Sequence, residues 1–211
     1  MDRHRRQRIF WWGGIAAGAL LIAMGAIWIW QGAVARSEVH DTISREQIVG
    51  TPDMSPATFE GEAPAGVDLP SCDVADQAVT TGAEARCFAQ WMRIHALEGT
   101  GGKTFSQMGR FLDDEGNDVF NEADAATDPK TGQPVSNPAR ELWVTQRALA
   151  TGLELAFVGE QVSLFSIATG ALFLVIGIGL IVMLTAGGVL SDRNGPGAEA
   201  APAAPTPPAE S

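Results

Sequence analysis

The chain lacks the residue patterns that mark most catalytic and metal sites. It has only two cysteines and three histidines, and it contains no C-x-x-C, G-x-S-x-G or H-E-x-x-H motif. These motifs supply the ligands of structural zinc, the nucleophile of serine hydrolases and the zinc ligands of metalloproteases. The sequence therefore predicts no catalytic residue, no metal site and no cofactor, and it indicates a protein that is not an enzyme.

Histidine is also scarce in residues 36–160, where only His40 and His95 occur. A non-haem iron site needs two histidines and a carboxylate in tight geometry, and no spacing motif joins these two. His95 lies next to an apolar helical stripe. We interpret it as a structural histidine that is hydrogen-bonded at the edge of a helix.

Charge is absent from two long segments, residues 9–35 and 161–191. Each exceeds the roughly 20 apolar residues that cross a bilayer core. The first also resembles a signal peptide that would be cleaved after Ala35, but its apolar run is too long for one. Trp11 and Trp30 are separated by about 28 Å of helix, as expected of two interfacial belts. We predict retained membrane helices over 9–31 and 161–187, inserted in a lipid bilayer.

Basic residues fix the predicted orientation. Residues 1–8, "MDRHRRQR", contain four arginines and one aspartate, and such a cluster stays in the cytoplasm. Two spans then return the C-terminal tail to the cytoplasm. The sequence therefore predicts a multi-pass plasma-membrane protein with both termini cytoplasmic and residues 32–160 extracytoplasmic.

Positive charge is scarce between the spans, where residues 36–160 hold nine Lys/Arg against twenty-one Asp/Glu. This argues against binding nucleic acid, which needs basic surfaces. The acidic run at 113–118 invites comparison with a calcium-binding EF-hand. With Gly116 at the sixth loop position, however, the first ligand would be Phe111, which cannot coordinate a cation. We favour a solvated turn over a weak calcium site.

The stretch "LEGTGGKT" (97–104) resembles a phosphate-binding loop but lacks its first glycine, because Leu97 occupies that position. Residues 83–97 have a helical apolar period rather than that of a strand. We predict a helix over about 81–98 that ends at Gly99, a loop containing Gly101 and Gly102, and a helix over 105–112 capped by Thr104. The prediction excludes nucleotide binding and leaves Lys103 as a solvated side chain.

The last helix is predicted to begin after Asn137, a good N-cap, with Pro138 at its first position. Residues 138–160 then run without a break into the second span, and Gly152 and Gly159 are the expected places for any bend. Residues 188–211 form a Pro/Ala-rich tail that is predicted to be disordered. The fold class is thus a mainly α membrane protein, with two spans flanking a small, helical, loop-rich domain.

Two pairs of residues indicate tertiary contacts. Cys72 and Cys87 both lie in the outer segment, where an oxidising compartment favours a disulfide over two unpaired thiols. Gly14 and Gly18 form a G-x-x-x-G motif in the first span. They indicate packing against the second span or against a second copy, and Gly170, Gly177 and Gly179 are the candidate partners.

Three segments carry a resemblance to a known family: "IHALEGTGGKTFSQMGRFL" (94–112), "NPARELWVTQRAL" (137–149) and "EQVSLFSIATGALFLVIGIGLIVM" (160–183). They resemble a family of two-span membrane proteins common in actinobacteria, whose members share a T-G-G-x-T-[YF] loop and an arginine-containing helix that enters the last span. The resemblance covers roughly residues 88–184. Some members are described as the small subunit of an aromatic ring-opening dioxygenase. The metal ligands of such dioxygenases belong to the large subunit, so the resemblance implies no catalytic residue here.

From these observations we expect a non-enzymatic accessory or scaffold subunit of a plasma-membrane or cell-envelope assembly. Its expected partner is another membrane or envelope protein, or a second copy of itself. The alternative is an extracytoplasmic sensor module that binds a ligand or a cation.

Overall fold

The computed structural model describes residues 3–59 and 66–193, and three helices dominate it. These are α1 (Arg3–Arg45), α2 (Gly82–Gly99) and α3 (Pro138–Arg193). Two-residue strands β1 (Phe111–Leu112) and β2 (Asp118–Val119) form an antiparallel hairpin in which Phe111 pairs with Val119. Short 3₁₀ turns span Phe105–Gln107 and Glu122–Asp124. The chain is mainly helical, as predicted.

Within the described residues, two helices are long and apolar enough to cross a membrane, Arg8–Arg45 and Pro138–Ala186. Both extend beyond the predicted spans. α1 continues to Arg45, well past residue 31, and α3 runs through Gly152 and Gly159 as one continuous helix to Arg193. The first six residues of the predicted disordered tail are therefore helical, and residues 194–211 lie outside the described residues.

The chain divides into two compact units, and the first combines Met1–Trp30 with Ser166–Ser211. In this unit α1 packs against α3 through glycines. A Cβ built on Gly25 would lie 2.6 Å from the carbonyl oxygen of Gly170, and one built on Gly177 would lie 2.7 Å from that of Gly18. No side chain fits at such distances, so glycine at these positions permits the close approach of the two backbones.

The predicted glycine motif lies in this contact, but only part of it touches backbone. A Cβ on Gly18 would meet Ile181 and the Gly177 carbonyl, whereas one on Gly14 would meet only the Leu184 side chain. A Cβ built on Gly179 would have no atom within 4 Å, so this glycine is not part of the contact. The closest backbone contact instead involves Gly25, seven residues after Gly18. A seven-residue repeat is the period of helices that wrap around each other with a left-handed supercoil.

The second unit, Gln31–Phe165, contains α2, the hairpin and the loops. α2 begins with the predicted capping box, in which the Thr81 hydroxyl accepts from the Glu84 N–H and the Glu84 carboxylate accepts from the Thr81 N–H. One side of α2 contributes Ala85 and Ala89 to a cluster with Ile43 of α1 and Leu153 of α3. α2 is therefore held by both long helices.

The other side of α2 packs against the loop that precedes it. Trp91 and Ile94 are buried there with Met54 and Val74, and the Trp91 indole donates to the carbonyl of Cys72 at 3.1 Å. Cys72 and Cys87 form the predicted disulfide, with their Cα atoms 5.9 Å apart. The disulfide therefore ties the loop to the first half of α2.

The helix predicted over 105–112 is wrong. A 3₁₀ turn covers only Phe105–Gln107, and Phe111–Leu112 is a strand. The backbone of this segment bonds to a later part of the chain: Leu112 donates to the Val135 carbonyl, and the Arg110 carbonyl accepts from Asn137. Gly109 also packs directly on the backbone of Val119, where a Cβ would clash. Contacts distant in sequence thus override the local helical period.

Candidate functional site

A buried carboxylate, that of Glu160 in α3, forms the main ionic cluster of the second unit. Glu160 is 5% exposed. Its Oε1 accepts hydrogen bonds from Arg36 Nε at 3.2 Å and from His40 Nε2 at 2.8 Å. Arg36 and His40 lie one turn apart on α1 and reach α3 from the same face. A buried negative charge is thereby paired with a guanidinium and an imidazole.

The second oxygen of Glu160 binds the start of α2. Its Oε2 accepts from the backbone N–H of Gly82 at 2.8 Å, so the carboxylate lies at the positive end of that helix. A Cβ on Gly82 would lie 2.8 Å from both Glu160 Oε2 and Phe157 Cα. Glycine at position 82 thus lets α2 approach α3 closely enough for this bond to form.

These contacts determine the ionisation of Glu160. Burial by itself would raise the pKa of the Glu160 carboxyl, but the hydrogen bonds from His40, Arg36 and Gly82 outweigh it and lower the pKa below 4.5. Both oxygens are engaged by groups of the chain. The cluster therefore works as a clamp that joins α1, α2 and α3 within this unit.

This clamp was not predicted, because the sequence singles out neither Glu160 nor any partner for it. The available signal was the spacing of buried positions on α3: Trp143, Gln146, Ala150, Leu153 and Glu160 are all buried. A glutamate on the same side of the helix as these buried residues is itself buried unless the helix bends. No sequence motif identifies Arg36, His40 or the N–H of Gly82 as hydrogen-bond partners of this carboxylate.

The GTGGKT stretch is the C-terminal cap of α2. The N–H of Gly101 donates to the Glu98 carbonyl, and that of Gly102 donates to the Leu97 carbonyl at 2.7 Å. This pair of bonds is the Schellman motif, which requires a left-handed residue after the helix. Gly101 supplies it, with φ of 61°. α2 ends at Gly99, as predicted, but Gly99 itself has no positive φ, so the left-handed residue of the cap is Gly101 rather than Gly99.

The indole of Trp143 holds this cap against α3. Its Nε1 donates to the Lys103 carbonyl at 2.9 Å, and Trp143 is 4% exposed. The buried Thr100 hydroxyl lies 2.9 Å from the Ala96 carbonyl and 2.7 Å from the Lys103 carbonyl. The Lys103 carbonyl thus joins the cap to α3, whereas both glycine N–H groups are used within the cap of α2.

Lys103 is not simply a solvated side chain. Its Nζ lies 2.7 Å from Asp118 Oδ1, and Asp118 Oδ2 accepts from the N–H of Gly109 at 2.6 Å. The hydrogen bond from Lys103 contributes most to lowering the pKa of Asp118. Thr104 caps only the 3₁₀ turn, where its N–H and hydroxyl both donate to Gln107 Oε1. The loop residues therefore position the hairpin.

The acidic run at 113–118 forms the turn of the hairpin. Asp113 Oδ1 accepts from the N–H groups of Glu115 and Asn117. Hydrogen bonds from Asn117 and its neighbours lower the pKa of Asp113. In the described part of the chain, no three His, Cys, Asp or Glu side chains are grouped so that they would hold a metal ion.

His95 lies at the edge of α2, as predicted. Its Nδ1 is 3.2 Å from Glu98 Oε2, and its Nε2 is 3.7 Å from Asp53 Oδ2, too far for a hydrogen bond. It also lies beside the Phe59 ring. These contacts fix His95 locally and do not bring it near His40, which belongs to the Glu160 cluster.

A row of exposed residues runs along the side of α3 that faces away from the buried Glu160. Val144, Leu155 and Val158 are 57%, 65% and 52% exposed, and Ala148 and Thr151 lie between them. The Thr151 hydroxyl donates to the Arg147 carbonyl, so its hydrogen-bond donor is satisfied within the helix. We call these five residues the α3 stripe. Their spacing of four, three, four and three residues is the heptad pattern of helix association.

An apolar groove of about 500 Å³ lies between α1, α2 and α3 in the same unit. Its lining is mostly aliphatic and aromatic and includes the side chains of Phe88, Met92, Leu149 and Leu153. Gly152 also lines it, and a Cβ there would have no atom within 4 Å. The groove is thus open at that glycine.

The residues singled out from the sequence lie in three separate places. Gly14 and Gly18 belong to the helix pair, and Cys72 and Cys87 to the disulfide. Gly99, Gly101 and Gly102 belong to the end of α2, and Thr104 to the 3₁₀ turn that follows it. Comparison of the chain with protein-family models, with curated proteins and with solved structures finds no match.

Proposed function

We propose that this is a two-span plasma-membrane protein that acts as a non-enzymatic accessory or scaffold subunit of a membrane or cell-envelope assembly. Both termini lie in the cytoplasm, and residues 32–160 lie outside. The observation that carries the proposal is the α3 stripe. It exposes Val144, Leu155 and Val158 on the part of α3 that precedes the proposed span, where the surroundings are aqueous rather than lipid.

The polar groups of the same unit support this role. The Glu160 carboxylate, the Trp143 indole and the amide of Asn137 are all used to join helices and loops to one another. Such bonds make a rigid support for a helix face. Rigid presentation favours binding, because little conformational entropy is lost when a partner docks.

A photo-cross-linking side chain at Leu155 tests the proposal in intact membranes, and the same side chain at Glu115, exposed in the hairpin turn, is the control. We expect Leu155 to give a discrete protein adduct that Glu115 does not give. If Leu155 gave lipid adducts or none, the stripe would not be a protein-binding face and the proposal would fail.

The apolar groove favours a second candidate function, an extracytoplasmic sensor that binds an apolar ligand. Pockets of this size and lining are typical of small-molecule sites. Gly152→Leu adds a bulky side chain to the lining of the groove, at a position where a Cβ would have no atom within 4 Å. If the groove binds ligands, the wild type is expected to bind an apolar fluorescent dye at this site and the variant to lose that binding. Equal dye binding by both proteins would remove this candidate.

A further inference from the structure

We propose that the α3 stripe is a dimer interface, and that its occupant is the same stripe of a second copy, parallel and in register. This inference rests on the proposed function and names the partner. Two copies anchored in one membrane by the same spans have the same orientation, so their α3 helices run in the same direction. Identical residues of the two stripes then face each other, as in a parallel two-stranded coiled coil.

The positions that flank the stripe fit such a pairing. In a parallel coiled coil, the residue at heptad position g of one helix lies against the residue at position e, five places later, of the other helix. Arg147 then lies over Gly152 of the other copy, which has open space around it. The long side chain of one copy thus covers the glycine of the other, and no like charges are opposed there.

Charge also favours this face for self-association. Residues 36–160 hold nine basic and twenty-one acidic residues, so two outer segments repel each other over most of their surface. Residues 138–160 are the exception, with two arginines and three glutamates, one of which is the buried, paired Glu160. The stripe is therefore a nearly neutral region of an acidic domain.

The stripe is small for a free dimer, because stable complexes bury roughly 800 Å² on each partner and only three large apolar side chains are exposed on it. We therefore expect association to depend on confinement in the membrane, which raises the effective concentration of the second copy. Dilution into excess detergent is expected to dissociate it.

Cysteine cross-linking of the full chain in native membranes tests the proposal. Val158→Cys places a thiol on the stripe, and Leu149→Cys places one with similar exposure, 55% against 52%, on another face of α3. We expect oxidation to link Val158→Cys into a species of twice the monomer mass, with Leu149→Cys remaining monomeric. Adding Leu155→Asn is expected to lower the association constant about tenfold, equivalent to about 1.4 kcal/mol. The cross-linked fraction is expected to fall accordingly.

The outcomes separate this proposal from the proposed function. Equal cross-linking of Val158→Cys and Leu149→Cys would indicate random collision and would overturn the dimer. Linkage of Val158→Cys only to Val144→Cys in mixed membranes would overturn the parallel register. If photo-adducts at Leu155 contain a different protein and never a second copy, self-association fails while the accessory role stands. If Leu155 gives no protein adduct, both proposals fail.

Discussion

At the level of single residues, two glycines of the GTGGKT stretch, Gly99 and Gly101, have opposite backbone requirements. Gly101 has φ of 61°, a region that costs an L-residue about 1–2 kcal/mol. Gly99 is helical, and a Cβ there would lie 3.4 Å from the Leu142 side chain, an ordinary contact. We expect Gly101→Ala to lower the free energy of unfolding by about 1–2 kcal/mol. Gly99→Ala is expected to be neutral or to stabilise by up to about 1 kcal/mol.

Thermal unfolding of both variants in the same detergent checks this order. Gly132→Ala is a control for left-handed glycine outside the cap, since Gly132 has φ of 69° in an exposed loop. A larger loss from Gly99→Ala than from Gly101→Ala would contradict the assignment of the Schellman cap.

Glu160 gives a pH-dependent prediction. Its folded-state pKa is lowered below 4.5, so its contribution to stability is fully present above the unfolded value and is lost as pH falls through the folded pKa. We expect Glu160→Gln to destabilise the protein at neutral pH by about 1–3 kcal/mol, because a charged hydrogen-bond acceptor in a buried cluster is removed. The difference from wild type is expected to shrink once the pH is below the folded pKa.

The measurement is unfolding of the two proteins at a series of pH values, with Glu154→Gln, on an exposed part of α3, as the matched control. Other carboxyls with lowered pKa values, such as those of Glu84 and Asp118, change the stability of both proteins equally. A Glu160→Gln effect that is independent of pH would contradict the ionic role of this residue.

At the level of elements, the predictions are correct for features that depend on residues close to them in the chain. The Thr81–Glu84 capping box, the Asn137 cap and the disulfide all follow from neighbouring residues or from compartment. The segment 105–112 was mispredicted because its backbone pairs with residues 118–119 and 126–137, which no local period reveals. The Glu160 clamp was missed for the same reason, since Arg36 is 124 residues away.

Asn137 makes both a local contact at the start of α3 and a contact with a distant segment. Its replacement therefore tests the junction of the hairpin with α3. Its Oδ1 accepts from the Ala139 N–H at the start of α3, and its Nδ2 donates to the Gly109 carbonyl. We expect Asn137→Ala to lower the free energy of unfolding by about 1–3 kcal/mol, because the cap and a buried hydrogen bond are both lost. Asn137→Asp keeps the cap acceptor but loses the donor.

Unfolding melts of Asn137→Ala and Asn137→Asp separate the two contributions, and hydrogen exchange at residues 109–112 reports on the hairpin. We expect both variants to increase exchange at these amides and Asn137→Ala to have the lower melting temperature. Wild-type exchange at 109–112 in both variants would show that the hairpin does not depend on Asn137.

At the scale of the whole molecule, the uncharged segments predicted the two longest helices, and the glycines predicted that they pack together. The helix over 138–160 that runs without a break into the second apolar segment is confirmed, whereas α1 continues to Arg45, further than its uncharged segment indicates. Residues 32–45 are charged and yet helical, since their buried face packs on α2 through Ile43. Tertiary packing, rather than local apolar composition, therefore extends α1 beyond its apolar segment.

The orientation of the chain gives the last prediction. Four arginines precede the first apolar segment, and such clusters are retained in the cytoplasm. The proposed two-span topology places Gln7 and Ser211 in the cytoplasm and Ser106, exposed in the 3₁₀ turn, outside. In intact cells, a membrane-impermeant thiol reagent is expected to label Ser106→Cys. Gln7→Cys and Ser211→Cys are expected to react only after permeabilisation. The native cysteines give no background, since they are joined to each other. Labelling of either terminal cysteine in sealed cells, or protection of Ser106→Cys, would contradict the two-span topology.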